Sequence, residues 1–342
     1  MDKKYTWTLI IAFLIIAVFF IMKRYTEQST PATYFHNEGL IFGTIYSIKY
    51  NHTENLVDEI TTELLKVDST FSMFNPESII SKINKNDTSV VLNDWFISVF
   101  KLAQQISGQT DGAFDITVAP LVNLWGFGFE KKDSVNQPVI DNLLQLVGYQ
   151  KIRLSENRIV KDNPNTLLDV SAIAKGFSSD VIANLFESKN ITDYLIEIGG
   201  EMRAKGVNQN GQTWIVGISK PNENIEENEI YQKIHLFDRA LATSGNYRNF
   251  YYKDGKKYAH TINPKTGYPL ESNVLSVSVI TENGDCAAAD AYATAFMVMG
   301  VEKTEAFLKN HPELSVYLIY LDEKSEMQVY ATDNFKQYIF EF

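Results

Sequence analysis

Cysteine is nearly absent: Cys286 is the single one among 342 residues. A lone thiol makes no intramolecular disulfide and no cysteine-rich metal site. Its neighbours Ala287, Ala288 and Ala289 mark it as a small buried residue rather than a nucleophile. Histidine is sparse as well, five in all and scattered singly, so no zinc cluster is suggested. An excess of positive charge is also missing. Lys and Arg total 31 against 42 Asp and Glu, for a formal net charge of -11. A nucleic-acid binder needs a basic surface to displace counterions, so that class is set aside. A phosphate ligand is not, because a helix terminus or a metal can hold phosphate inside an acidic protein. No GxGxxG or Walker sequence occurs, which removes Rossmann and P-loop sites. There is no internal repeat and no low-complexity tract.

What is present is enough apolar residue, 45%, for a sizeable core. Aromatic content is 13%, with 18 Tyr and 21 Phe, which suits either a stacked-ring ligand or simply a large core. The N-terminus reads as a targeting element. Lys3 and Lys4 precede the apolar run Trp7 to Met22, and Lys23 and Arg24 follow it. At 1.5 Å per residue the run spans roughly 24 Å, a little short of the bilayer core, and flanking cations can snorkel across the difference. The expectation is an uncleaved signal anchor over 1–24, a linker over 25–36 and one globular domain over 37–342. Positive charge is nearly equal on both flanks and leaves orientation open; an extracytoplasmic domain on the inner membrane is expected.

Beyond the linker the periodicities predict strands over Leu40 to Tyr50, Asp193 to Ile198, Trp214 to Ile218, Ile230 to Leu236, Tyr258 to Ile262, Val274 to Thr281 and Leu314 to Leu321. Helices are expected over Glu54 to Val67, Trp95 to Ile106, Ser171 to Phe186 and Cys286 to Met299. Without a regular βαβ rhythm, the class is α+β with mostly antiparallel sheets and packed helices.

Several segments carry possible chemistry. Asp290 and Thr294, four apart on the last of these helices, share a face among small alanines. A carboxylate beside a hydroxyl is a pair of hard oxygen ligands of the kind Mg²⁺ takes; an internal hydrogen bond in a packed helix is the plain alternative. In Leu168 to Phe177 a strand should end at Asp169 and a helix begin near Ser171, offering free N–H groups to an anion. Asp169 or Ser171 as a cap, and Lys175 as a surface charge, explain that segment as well. Thr110 to Pro120 followed by Trp125-Gly126-Phe127-Gly128 is suited to wrapping a planar ring, or to ordinary loop packing. Glu197-Ile198-Gly199-Gly200-Glu201 reads as a strand ending at a tight glycine pair. His260 stands at a strand end before a Pro/Gly turn, as a general base or as a structural histidine.

Taken together and in order, these segments resemble the ApbE family, the FAD:protein FMN transferases. The resemblance spans roughly Phe42 to Gly300. It rests on Gly43-Thr44, Phe71-Ser72, Asp111 to Thr117, Ala174-Lys175-Gly176, Gly199-Gly200-Glu201, Ala242-Thr243-Ser244-Gly245, the His260 turn and Ala289-Asp290-Ala291.

The resemblance implies an ApbE-like, T-fold-related domain and specific roles. Asp290 and Thr294 match Mg²⁺ ligands, with the Ala172 carbonyl a third. Asp169, Lys175, Ala113, Phe114, Asp115 and Ile262 match contacts to FAD, the substrate. Phe42 stands where the family usually has Met, and Phe74 where it usually has Tyr against the isoalloxazine. Phe74 keeps a stacking face but lacks the hydroxyl, at a position tied to the balance between transfer and hydrolysis. The implied reaction passes FMN from FAD to a Ser or Thr hydroxyl of an acceptor flavoprotein, such as a membrane redox-pump subunit, and releases AMP. His260 is the candidate base, with Asp290 close to the same chemistry. An FAD pyrophosphatase and a non-catalytic flavin binder are the alternatives.

Overall fold

The computed structural model describes residues 33–129, 135–222, 229–247, 250–253 and 256–340. The expected anchor over 1–24 lies outside them. Among the described residues no helix is long and apolar enough to cross a membrane.

An eight-stranded sheet forms the spine, in the order β1 (Thr33–Ile41), β2 (Thr44–His52), β5 (Tyr194–Ile198), β6 (Glu201–Lys205), β9 (Arg239–Gly245), β12 (Val274–Thr281), β13 (Leu314–Leu321) and β14 (Met327–Ala331). All its pairings are antiparallel. Two-stranded ribbons accompany it: β3 (Ile152–Ser155) with β4 (Arg158–Lys161), β7 (Trp214–Ser219) with β8 (Ile230–Leu236), and β10 (Phe250–Lys253) with β11 (Lys256–Ala259). The α+β class and the antiparallel sheet are as the residue pattern predicts.

The helices are α1 (Val57–Phe71), α2 (Ile79–Asn84), α3 (Asp94–Gln109), α4 (Ala119–Leu124), α5 (Gln137–Leu144), α6 (Ser171–Ser188), α7 (Cys286–Leu308) and α8 (Asp333–Lys336). Strand alternation sorts the core. Tyr46, Ile48 and Tyr50 of β2, with Tyr194, Ile196 and Ile198 of β5, pack on Ile60 and Leu64 of α1 and Ile182 and Phe186 of α6. Met202 and Ala204 of β6 point to the other face, where Trp214, Val216 and Ile218 of β7 cover them. Helix α7 is buried on most of its circumference, as a helix apolar all round should be. Its Asp285 cap accepts the Ala288 N–H at 2.9 Å.

Four expectations change. The single strand over Leu40 to Tyr50 is a hairpin: Phe42 (φ 52°) and Gly43 (φ 72°) turn the chain so that Ile41 pairs with Thr44. β1 accordingly begins at Thr33, inside the segment read as linker. The strand read over Tyr258 to Ile262 ends at Ala259, and Ile262 makes only an isolated bridge to Pro269. No strand ends at Asp169, whose N–H instead meets the Ile116 carbonyl at 2.7 Å. Helix α7 also continues past Met299, through a break at Gly300 (φ 78°, ψ 177°), a conformation glycine tolerates.

Candidate active site

A cleft of about 860 Å³ opens at the ends of β5, β6, β9 and the helices α6 and α7. It collects Phe74, Ala113, Phe114, Asp115, Asp169, Ala172, Lys175, His260, Ile262, Asp290 and Thr294. Segments more than two hundred residues apart in the chain thus share one cavity. Of the residues singled out from the sequence, Phe42 is not in its lining; it packs in the hairpin turn against the two helical cores. Phe127 and Gly128 line the cleft, whereas Trp125 is buried away from it, its indole N–H donating to the Gly267 carbonyl at 2.8 Å.

The centre is built on the contact between α6 and α7. Gly176 lets the two backbones touch: a Cβ there would lie 2.2 Å from the Cys286 carbonyl oxygen. Its N–H donates to Asp290 Oδ2 at 3.1 Å. In a regular helix that N–H serves the carbonyl four residues back, which is Ala172. Ala172 is non-helical (φ -91°, ψ 18°), turning its carbonyl by about 60° from the helical direction. Asp180, one turn further on, accepts N–H bonds from Cys286 (3.1 Å) and Ala287 (2.9 Å) and pairs with Arg203 (2.9 Å), pinning the start of α7 to α6.

Lys175 lies between two buried carboxylates. Its ammonium is 2.9 Å from Glu201 Oε1 and 3.7 Å from Asp290 Oδ2. Burial pushes both acids up, Glu201 to about 8, and the two carboxylates push the ammonium up. With Lys175 charged, two ionised acids leave the cluster one charge short of neutrality. Glu201 Oε2 is buried without a hydrogen-bond partner. The pocket therefore favours one added proton or cation. Both contacts of the Asp290 carboxylate run through Oδ2, so Oδ1 is the oxygen left for a ligand. Thr294 and Ser244 hydroxyls lie 3.0 Å apart; with Thr294 donating, its oxygen keeps its lone pairs for a cation. One carboxylate, one hydroxyl and one rotated carbonyl make a hard-oxygen donor set with room for phosphate oxygens. Among the described residues no group of three or more His, Cys, Asp or Glu forms a metal cluster. The donor set here needs no such cluster, since Asp290 is its one carboxylate.

The remaining residues shape the wall. Asp115 is tied down by Thr117 N–H (2.8 Å), Thr117 hydroxyl (2.6 Å) and Tyr149 N–H (2.8 Å), and burial raises its pKa. Asp169 accepts the Ser171 N–H at 2.8 Å at the start of α6, and burial raises it too. Phe74 stands 75% exposed in the lining of the cleft. His260 is half-buried, edge-on to Phe127. Glu201 and Ser244 were not singled out from the sequence as site residues. Their only signal was membership in the Gly199-Gly200-Glu201 and Ala242 to Gly245 segments.

The profile of the ApbE family matches residues 42–318. The chain belongs to the ApbE family. A Vibrio cholerae protein named FAD:protein FMN transferase is 35% identical over 319 residues, covering 90% of this chain and 94% of that one. The solved structure of the flavin transferase ApbE from Vibrio cholerae superposes with a TM-score of 0.81 at 35% identity, over 90% of this chain and all (100%) of that chain. The apo flavinyl transferase ApbE of Pseudomonas stutzeri gives 0.79 at 26% identity, over 90% and 97%. The ApbE match thus spans the hairpin turn, the cleft and most of the sheet.

Proposed function

We propose that this protein transfers FMN from FAD to a Ser or Thr hydroxyl of an acceptor protein, releasing AMP, in a Mg²⁺-dependent reaction. The observation that carries the reading is the α6–α7 contact. It locks Asp290 through Oδ2, leaves Oδ1 for a ligand and sets a rotated Ala172 carbonyl and the Thr294 hydroxyl in the same cleft. The relatives named FAD:protein FMN transferase support the same substrate pair.

Asp290, Thr294 and the Ala172 carbonyl would hold Mg²⁺, which when bound neutralises charge on paired phosphates. The α6 N-terminus supplies fixed positive potential for the pyrophosphate, and the Lys175 ammonium offsets the two acids beside it. The glycine pair (φ 65° and 105°) brings backbone, rather than side chain, to the cleft. Phe74 offers a face to the isoalloxazine and the Ala113-Phe114-Asp115 segment borders its site, so that ring binding positions the phosphates. The acceptor oxygen forms its bond to the phosphorus on the riboflavin side as the bond to the AMP phosphate breaks. AMP leaves with the electron pair, and His260 takes the hydroxyl proton. Water in place of the hydroxyl would give free FMN and AMP.

The test is incubation with FAD and Mg²⁺, with and without an envelope fraction of the source cell, followed by mass spectrometry of intact proteins. An FMN adduct on an acceptor supports transfer. Free FMN without any adduct supports hydrolysis, and unchanged FAD in both refutes catalysis. We further place the domain outside the cytoplasm on an N-terminal anchor. The apolar run Trp7 to Met22 supports this, and alkaline extraction that released the intact chain from membranes would refute it.

A further inference from the structure

The imidazole of His260 stands at one end of a run of stacked rings that the mechanism above leaves out. The run begins where α4 stops. Phe127 N–H reaches the Val122 carbonyl at 3.1 Å and Gly126 N–H the Asn123 carbonyl at 3.0 Å, the paired bonds of a Schellman motif, with Gly126 at φ 81°. Trp125 and Phe127 thus leave the helix on either side of one glycine. The β10–β11 ribbon supplies the next two rings. Tyr251 and Tyr258 are cross-strand partners, so their side chains lie on one face.

The rings meet in order. Phe127 stacks on Tyr251 at 5.3 Å between centroids and 29° between planes. Tyr251 stacks on Tyr258 at 5.4 Å and 19°, and Tyr258 on Trp125 at 5.3 Å and 24°. Such pairs add a directional preference to simple burial. A two-stranded ribbon is marginal by itself, so this one gains order from the two rings at the end of α4. His260 directly follows β11, which ends at Ala259. Its ring lies edge-on to Phe127 at 6.4 Å and 69°. The far end of the same loop is held as well. The Trp125 indole N–H donates to the Gly267 carbonyl at 2.8 Å, and the Trp125 ring packs on Tyr268 at 5.6 Å. The stack therefore grips the 260–268 loop at both ends. Phe127 and His260 line the cleft, whereas Tyr251, Tyr258 and Trp125 do not. A change at those three rings reaches the cleft only through their neighbours.

We propose that this stack positions His260: Tyr251 and Tyr258, braced on Trp125, set Phe127 against the imidazole and fix the direction in which it takes the acceptor's hydroxyl proton. The inference rests on the reading of His260 as the base in FMN transfer. A general base must stay within hydrogen-bond reach of the proton it takes, and a small misplacement is costly in rate. The ring faces carry the effect, not the tyrosine hydroxyls.

The test compares initial rates of covalent FMN labelling of the solubilised envelope fraction of the source cell, read by in-gel flavin fluorescence at saturating FAD. Tyr251→Leu should slow labelling roughly tenfold or more, with FAD affinity, from flavin fluorescence titration, at the wild-type value. Tyr251→Phe keeps the ring and should bring the rate back. The deciding comparison is made in the His260→Ala background, followed over longer times. With no imidazole left to position, Tyr251→Leu should slow that variant no further. Equal slowing in both backgrounds overturns the inference, because the stack then acts on the fold and not on His260. So does a wild-type rate in Tyr251→Leu, a matching loss of FAD affinity, or a Tyr251→Phe rate as low as that of the leucine variant. Where Tyr251→Leu does not fold, Tyr258→Leu decides by the same comparison. His260→Ala at the wild-type rate removes the base and its positioning together, and wild type that binds FAD and labels nothing removes the transfer reading.

Discussion

Replacing Asp290 with Asn separates the chemistry of the centre from its stability. The amide is nearly isosteric, and its oxygen can still accept the Gly176 N–H now held at 3.1 Å. Lys175 keeps Glu201 at 2.9 Å, so no uncompensated charge is buried. Breaking a buried pair costs about 3–5 kcal/mol only when a charge is left alone. Here stability should change by about 1 kcal/mol or less, a Tm shift no larger than roughly 2–4 °C. The sign depends on pH. Burial raises the folded-state pKa of Asp290. Its contribution is therefore most favourable below the unfolded value near 4 and is lost as pH rises through the folded value. Asn carries no such dependence, so the variant should gain on wild type as pH rises. Activity behaves differently. The Oδ1 oxygen becomes an NH₂ group, which repels a cation. Metal stabilisation of several kcal/mol, at about 1.36 kcal/mol per tenfold, predicts a rate loss of roughly 10²–10⁴. Differential scanning fluorimetry across pH, with single-turnover FAD cleavage, measures both. Cleavage within a few-fold of wild type would refute the role of Asp290, and a Tm loss above about 8 °C would show that the carboxylate is structural.

Other substitutions probe the same cleft. His260→Ala should slow FMN transfer by roughly 10²–10⁴-fold while leaving FAD affinity nearly intact; stopped-flow transfer and flavin fluorescence titration check the two halves. Phe74→Tyr restores a hydroxyl at a ring 75% exposed. It should change the ratio of protein-bound to free FMN, read by chromatography of the products, and an unchanged ratio removes the position from that balance. Gly176→Ala drives a Cβ to 2.2 Å from the Cys286 carbonyl. It should cost about 1–3 kcal/mol in chemical denaturation and lower turnover as well, because the helices that hold Ala172 and Asp290 are pushed apart. Normal turnover in that variant would uncouple the helix contact from catalysis.

Much of this protein is local and was legible in the residues alone. Val274–Thr281 and Leu314–Leu321 are strands at the expected bounds, because segments this rich in β-branched, leucine and tyrosine residues between turn signals admit little else. The Asp290/Thr294 helix face follows from a four-residue spacing, and the family follows from the order of short segments. The hairpin at Phe42-Gly43 was missed because its apolar run continues through the turn, which only the positive φ angles reveal.

Tertiary structure decided the rest, since its causes act between segments that sequence spacing does not relate. Lys175 could have been a solvated lysine; packing against Glu201 and Asp290 makes it the cation between two buried acids. Trp125 looked like part of a ring-binding loop, yet its N–H is used by Gly267 in the interior. Composition and periodicity determined which faces are apolar and which residue types were available for oxygen chemistry. The α6–α7 contact at Gly176 determined which of those oxygens meet, because a backbone approach that close depends on how whole helices pack.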